Sequence, residues 1–266
     1  MGVYKNGGLK IIPILQVSDE FTDIEQDEWD DNDKMGYGII VASQMTEDWK
    51  FKFFGFYNDD ARELEQVTTP EGETSLASRT DRSGAVATLH VDGAAGPVGL
   101  AAEVGYKSAD VQGSEDDGLG GYIQAAFNLG AVNPVVLAGM TQSGFMADND
   151  FGFVMVGGNE CTTVVDVGNK SGDLMFGALV LPYNISDRFS VQGNLLYAAY
   201  DYDNDSIAAG KLDSAIEVSA VLGYALSEST SLTYKAGYLT PTYNDGAPDV
   251  MEDAYIGQLL RMEVEF

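Results

Sequence analysis

His90 is the only histidine in 266 residues, and Cys161 is the only cysteine. A Ser–His–Asp arrangement would have to be built on His90. The stretch ATLHVDG does place Asp92 near it, with Ser83 upstream. An intrachain disulfide and a cysteine-ligated metal cluster are excluded. DYDNDS sets Asp201, Asp203 and Asp205 at alternate positions, like the first half of a calcium loop whose carboxylates take a hard cation. The glycine expected next is Ser206, and the glutamate expected at the twelfth position is Leu212. The spacing argues against an EF-hand and leaves a loose, weak Ca2+ or Mg2+ site on an acidic loop as the metal expectation. GLGGYIQAAFNLG lacks the Lys-Ser/Thr ending of a phosphate loop, and its glycines suit bending or aromatic packing on a strand.

The charge balance is lopsided: 14 Lys and Arg against 42 Asp and Glu, a formal net charge of -28. Phosphate binding needs cations, so nucleic acid is excluded as a partner. Cationic partners, or a repulsive acidic exterior, fit the balance. No apolar run approaches the ~18 residues of a membrane-spanning helix. The start, MGVYKNGGLK, lacks the apolar core of a secretory signal. A cytosolic chain, a removed signal and a truncated start all remain open on that ground.

These side chains need elements to position them, and the elements read as strands. The 31 glycines, 14 tyrosines and 12 phenylalanines against 7 prolines suit many strands joined by turns. Acidic clusters at 18–34, 114–118, 147–152, 201–206 and 244–253 separate runs of alternating apolar and small or polar residues. Sorting at these junctions gives twelve strand candidates: 10–17, 35–46, 49–58, 82–93, 97–109, 118–130, 134–147, 173–185, 188–203, 213–227, 230–243 and 253–266. Long acidic links alternate with tight ones. No helix-period segment lies between strands, so an antiparallel up-and-down meander is expected. Short turns on one side and long loops on the other are the pattern of a transmembrane β-barrel, here all-β, a single domain over 1–266, with about twelve strands. A soluble sandwich shares the alternation but gives no reason for segregated loop lengths.

The faces sharpen this. Val98, Leu100, Ala102, Val104 and Tyr106 oppose Gly99, Ala101, Glu103, Gly105 and Lys107. Trp49, Phe51, Phe53 and Tyr57 oppose Lys50 and Lys52, Ile216, Val218 and Tyr224 oppose Glu217, and Tyr234 and Tyr238 share a face opposite Lys235. Charge is excluded from one face, as it would be from lipid, where Lys or Arg at the midplane costs roughly 2–4 kcal/mol. Segments 135–142 and 174–183 are apolar on both faces, which suits an inward loop packed against one of them. Pro13 sits awkwardly in a paired strand.

The ending YIGQLLRMEVEF places Leu260, Met262, Val264 and Phe266 on one face, with Gly257 upstream. This resembles the terminal signal of Gram-negative outer-membrane β-barrels. SLTYKAGYLTPTYND and GPVGLAAEVGYKSAD resemble segments of porin-like proteins. The resemblance implies residence in the outer membrane, contact with its lipid and lipopolysaccharide, and recognition of the C-terminal strand by barrel assembly machinery. It also implies a monomer or homotrimer passing small hydrophilic solutes or cations, with no covalent chemistry. A barrel lipase would need serine where Thr88 stands, so no enzyme is expected.

The expected pore lining is Lys50, Lys52, Glu103, Lys107, Glu217, Lys235, Arg261 and Glu263. The long apolar loop 149–173 is expected to narrow the pore through Phe151, Phe153, Met155 and Val156, or else to extend its flanking strands. Acidic loops at the mouth would favour cations. A non-conducting barrel serving as anchor or assembly partner is the competing expectation. No cofactor is expected beyond weakly held Ca2+.

Overall fold

A computed structural model of the chain describes residues 3–19, 34–60, 64–68, 74–78, 83–112, 116–148, 151–248, 251 and 253–265. The strands are β1 (Tyr4–Asn6), β2 (Leu9–Asp19), β3 (Lys34–Gln44), β4 (Trp49–Asp60), β5 (Leu64–Thr68), β6 (Thr74–Ser78), β7 (Gly84–Ala95), β8 (Val98–Lys107), β9 (Gly118–Phe127), β10 (Val135–Gln142), β11 (Gly172–Asn184), β12 (Phe189–Tyr202), β13 (Leu212–Ala225), β14 (Thr230–Tyr243) and β15 (Tyr255–Val264). Two single-turn helices, α1 (Ala109–Gln112) and α2 (Asp205–Ala208), lie in links. None is long and apolar enough to cross a membrane among the described residues.

Thirteen strands form one sheet in the order β1-β2-β3-β4-β7-β8-β9-β10-β11-β12-β13-β14-β15, an up-and-down antiparallel meander. Each of the twelve expected segments is a strand in it. The thirteenth is β1, a three-residue return pairing Tyr4 with Ile11. The link read as a loop over 59–81 contains a separate hairpin, β5 with β6. Links at 45–48, 96–97, 185–188 and 226–229 are short and alternate with long ones. Three short turns share one device. Thr46 Oγ1, Ser186 Oγ and Ser227 Oγ accept backbone N–H groups from Trp49, Phe189 and Ser229 at 3.1–3.3 Å. The aromatic ending residue Phe266 and most of the acidic stretch 18–34 lie outside the described residues.

The chain divides into two compact units, Met1–Val91 with Gly105–Gly118, and Asp92–Val104 with Leu119–Phe266. In the first, Pro13 is accommodated in β2 opposite Ile39. The pairing of β1 ends at Ile11, so past that point the described partner of β2 is β3 alone. In the β8–β9 link, Tyr106 donates its hydroxyl to Asp117 Oδ2 at 2.7 Å, and the Ala109 N–H donates to Asp117 Oδ1 at 2.9 Å. These two hydrogen bonds, the hydroxyl's first, hold the Asp117 carboxyl below its usual range.

In the second unit, β11–β15 present two unlike faces. On one, Leu195, Val218, Tyr238 and Ile256 occupy consecutive register positions and are 50, 53, 49 and 72 % exposed. Contiguous exposed apolar surface of this kind marks a membrane or a protein interface. The buried core lies on the opposite face.

Candidate functional site

Three register rows cross that opposite face. The first runs Ala178, Leu196, Glu217, Leu239, Tyr255; the second Val180, Asn194, Ser219, Gly237, Gly257; the third Pro182, Gln192, Val221, Lys235, Leu259. Large apolar residues dominate the first row, small or amide residues the second, and the third carries a cation. The segment between β10 and β11 packs on all three.

Over the first row the backbone of this segment turns so that three successive N–H groups converge. Val154 donates to Glu217 Oε1 at 3.1 Å, and Met155 and Val156 donate to Oε2 at 3.0 Å each. Such a nest of N–H groups is an anion-binding concavity. Glu217 is 0 % exposed. A buried carboxylate is tolerable only when it is hydrogen-bonded this fully. Its neighbours Leu196 and Leu239 are buried too, so water is excluded around the contact.

Over the second row Met155 descends into the space above Gly237 and Gly257. A Cβ on either glycine would collide with the Met155 side chain. Thr162 Oγ1 donates to the Val154 carbonyl at 2.7 Å, and the Val164 N–H donates to the Met155 carbonyl at 2.8 Å, which folds the segment back on itself. Gly157 and Gly158, at φ +68 and +80, make the reversal that brings these partners together. At the β11 side, Phe151 packs edge-on to Phe176 at 5.8 Å between centroids and against Tyr122 at 5.1 Å. This is what the inward apolar face of β11 is for: Leu174, Phe176 and Ala178 are covered by the segment.

Over the third row Glu160 Oε1 accepts from Lys235 Nζ at 2.7 Å and from an Arg261 guanidinium N–H at 3.3 Å. Its Oε2 is buried and has no hydrogen-bond partner among the described residues. Arg261 also lies 3.8 Å from Glu263. Beside this cluster the segment and the sheet border a half-open cavity of about 320 Å3, lined by residues that include Phe151, Phe153, Gln192, Asn194, Val221 and Lys235.

No protein-family model and no curated protein matches the chain. Solved structures do. The copper transporter OprC aligns with a TM-score of 0.50 at 12% identity, over 98% of this chain and 46% of that one. The outer membrane channel DcaP of Acinetobacter baumannii gives 0.47 at 12% identity, over 96% and 71%. OmpT, an outer membrane protein of Vibrio cholerae, gives 0.46 at 11% identity, over 100% and 85%. The fold is that of an outer-membrane β-barrel. The chain spans less than half the length of OprC.

Within this barrel fold the expected site residues are not equivalent. Lys235, Arg261 and Glu263 come together, joined by Glu160, a residue the strand pattern could not nominate because it lies in the link. Glu217, expected to face water, is instead sealed beneath the segment. Met155 and Val156, expected to narrow an opening, are each 1 % exposed and turned to the sheet; the exposed residues described between β10 and β11 include Asp148, Gly152, Asn159, Cys161, Val164, Asp166 and Lys170. Phe151 and Phe153 are half-buried. In the first unit Lys50 and Lys52 are exposed on β4 and Lys107 is half-buried on β8; in the second, Glu103 is half-buried.

Asp201, Asp203 and Asp205 do not converge. Asp201 ends a strand and accepts the Tyr202 N–H at 3.0 Å, while Asn204 caps α2 by accepting from Ile207, so Asp205 begins a helical turn. Among the described residues no group of three His, Cys, Asp or Glu side chains is placed to hold a metal ion.

Proposed function

We propose that the chain is an outer-membrane diffusion channel of a Gram-negative bacterium, passing small hydrophilic solutes or ions with a preference for cations. The observation that carries the reading is the segment from Phe151 to Ser171 pinned across the core-bearing face of β11–β15, while the other face of those strands exposes apolar rows. Hydrocarbon is the neighbour such rows need. A pinned segment that sets Glu160 against Lys235 of β14 and Arg261 of β15 gives opposing charges at close range, which hold water and sort solutes. The acidic links, in a chain of net charge -28, would concentrate cations at the mouth. Membrane lipid and lipopolysaccharide would surround the exposed rows, with assembly machinery reading the last strand. The likeness to OprC supports the fold and leaves transport as our own inference.

The burial of Val154, Met155 and Val156 on the core-bearing face favours a second reading, a filled barrel serving as an anchor. Planar-bilayer recording of the refolded full chain separates the two. Steady channels with a cation-favouring reversal potential support transport. That preference should fade between about 0.1 M and 1 M salt, as the Debye length falls from roughly 10 to 3 Å. Correctly folded protein without conductance would leave only the anchor.

A further inference from the structure

We propose that the cavity between the pinned segment and β10–β14 is a binding site for a small monocarboxylate with an aromatic or branched apolar body. The cavity's volume, about 320 Å3, is at the lower end of small-molecule pockets, so it suits a compact solute. Its walls are of two kinds. Phe151, Phe153 and Val221 offer an apolar slot, and Gln192 and Lys235 sit beside Val221 in one register row.

The polar side is arranged to donate. Gln192 gives one amide hydrogen to Asn194 Oδ1 at 2.8 Å, and Asn194 gives one to Ser219 Oγ at 3.0 Å. That ladder fixes the Gln192 amide and leaves it a second N–H. The ammonium of Lys235 has three hydrogens, and one is used by Glu160 at 2.7 Å. The cation can be shared without stranding its partner, because Arg261 also holds Glu160 Oε1. A carboxylate head between Lys235 and Gln192, with its body in the Phe151–Phe153 slot, satisfies both walls at once. A cation would meet Lys235 head-on, and a small hydrophilic anion would leave the slot empty. The apolar slot and the ammonium therefore select jointly for charge and shape, a finer sorting than acidic links at the mouth provide.

This deepens the channel reading of the same face and relies on it only for access. The test uses the refolded full chain and three probes: benzoate, acetate and benzyl alcohol. Calorimetry in detergent should show saturable benzoate binding, with acetate and benzyl alcohol each much weaker. Lys235→Met should weaken benzoate about tenfold or more, the scale of one charged hydrogen bond. Lys235→Arg should restore part of it. Val221→Phe fills the slot while keeping both Lys235 and Glu160 and should abolish binding, so the test survives if Lys235→Met fails to fold. In bilayers, benzoate should block or slow the current of the parent chain only. Benzoate binding without any current would sink the channel and spare the site. Current without benzoate binding, or benzyl alcohol binding as tightly as benzoate, would overturn the site and spare the channel.

Discussion

Met155 donates its backbone N–H to Glu217 Oε2 at 3.0 Å, while its side chain fills the space that Gly237 and Gly257 leave open. One residue is thus held twice, by its backbone to a buried charge and by its side chain to a steric notch. The two holds lie on adjacent rows of the sheet, so the segment cannot slide along the strands without breaking both.

Glu217→Gln tests the first hold. The amide keeps one acceptor oxygen and turns its NH2 toward N–H groups that need an acceptor. At least one buried donor is left unsatisfied, at about 1–3 kcal/mol each. The variant should still form the barrel, but trypsin should cut after the exposed Lys170 several times faster than in the parent. Unchanged cleavage would mean that the carboxylate is not what holds the segment.

Gly237→Ala tests the second hold. The added Cβ meets the Met155 side chain, and overpacking of this kind costs about 1–3 kcal/mol. Met155→Ala alone should also destabilise, by emptying the notch. The double variant should recover part of the loss, since each change relieves the other. Urea unfolding of all four proteins gives the coupling. Strict additivity would show that residue 155 does not occupy the notch in solution.

The strands were readable because two independent periodicities agreed. Apolar side chains recur every second residue, and acidic links recur every second junction. β1 was missed because three residues carry too little pattern, and β5 with β6 because that hairpin sits inside an acidic link. The inward segment was half readable: its own apolar run, and the doubly apolar β11, each asked for a partner. What could not be read was Glu217. A glutamate in mid-strand looks the same whether it faces water or three backbone N–H groups, since backbone donors leave no mark in the sequence. Glu160 was hidden for a related reason, because its cations lie 75 and 101 residues away on other strands.

Asp117 supplies a pH prediction. Its folded carboxyl titrates below the usual range because Tyr106 and Ala109 donate to the charged form. Ordering of the link is therefore fully present above the ordinary carboxylate range and is lost as pH falls through the lowered folded value. Carboxyl chemical shifts of Asp117 should titrate below those of a model peptide. Tyr106→Phe should raise the midpoint, because it removes the larger cause. A midpoint unmoved by that change would refute the link geometry.

Cys161 is exposed on the segment and is the only thiol in the chain, which makes it a native reporter. A cationic methanethiosulfonate should label it in the folded protein without denaturant. If the segment borders the conducting path, labelling should lower single-channel current and shift the reversal potential toward anions. The Cys161→Ser protein should show neither change. Full labelling with no change in current would place the path away from this segment.

Glu160→Gln addresses selectivity itself. The substitution keeps the shape and one acceptor but removes the negative charge that Lys235 and Arg261 share. Lys235 then loses its ion-pair partner, and Arg261 keeps only Glu263 at 3.8 Å. A unit charge about 10 Å from a passing ion in water contributes roughly 0.4 kcal/mol, a factor of about two in local concentration. The cation-to-anion permeability ratio should therefore fall about twofold at low salt, with the difference vanishing near 1 M as screening closes in. The reversal potential in a potassium chloride gradient reads this directly. A ratio that rises, or a change that persists at high salt, would mean that the charge acts through the segment's position and not through its field.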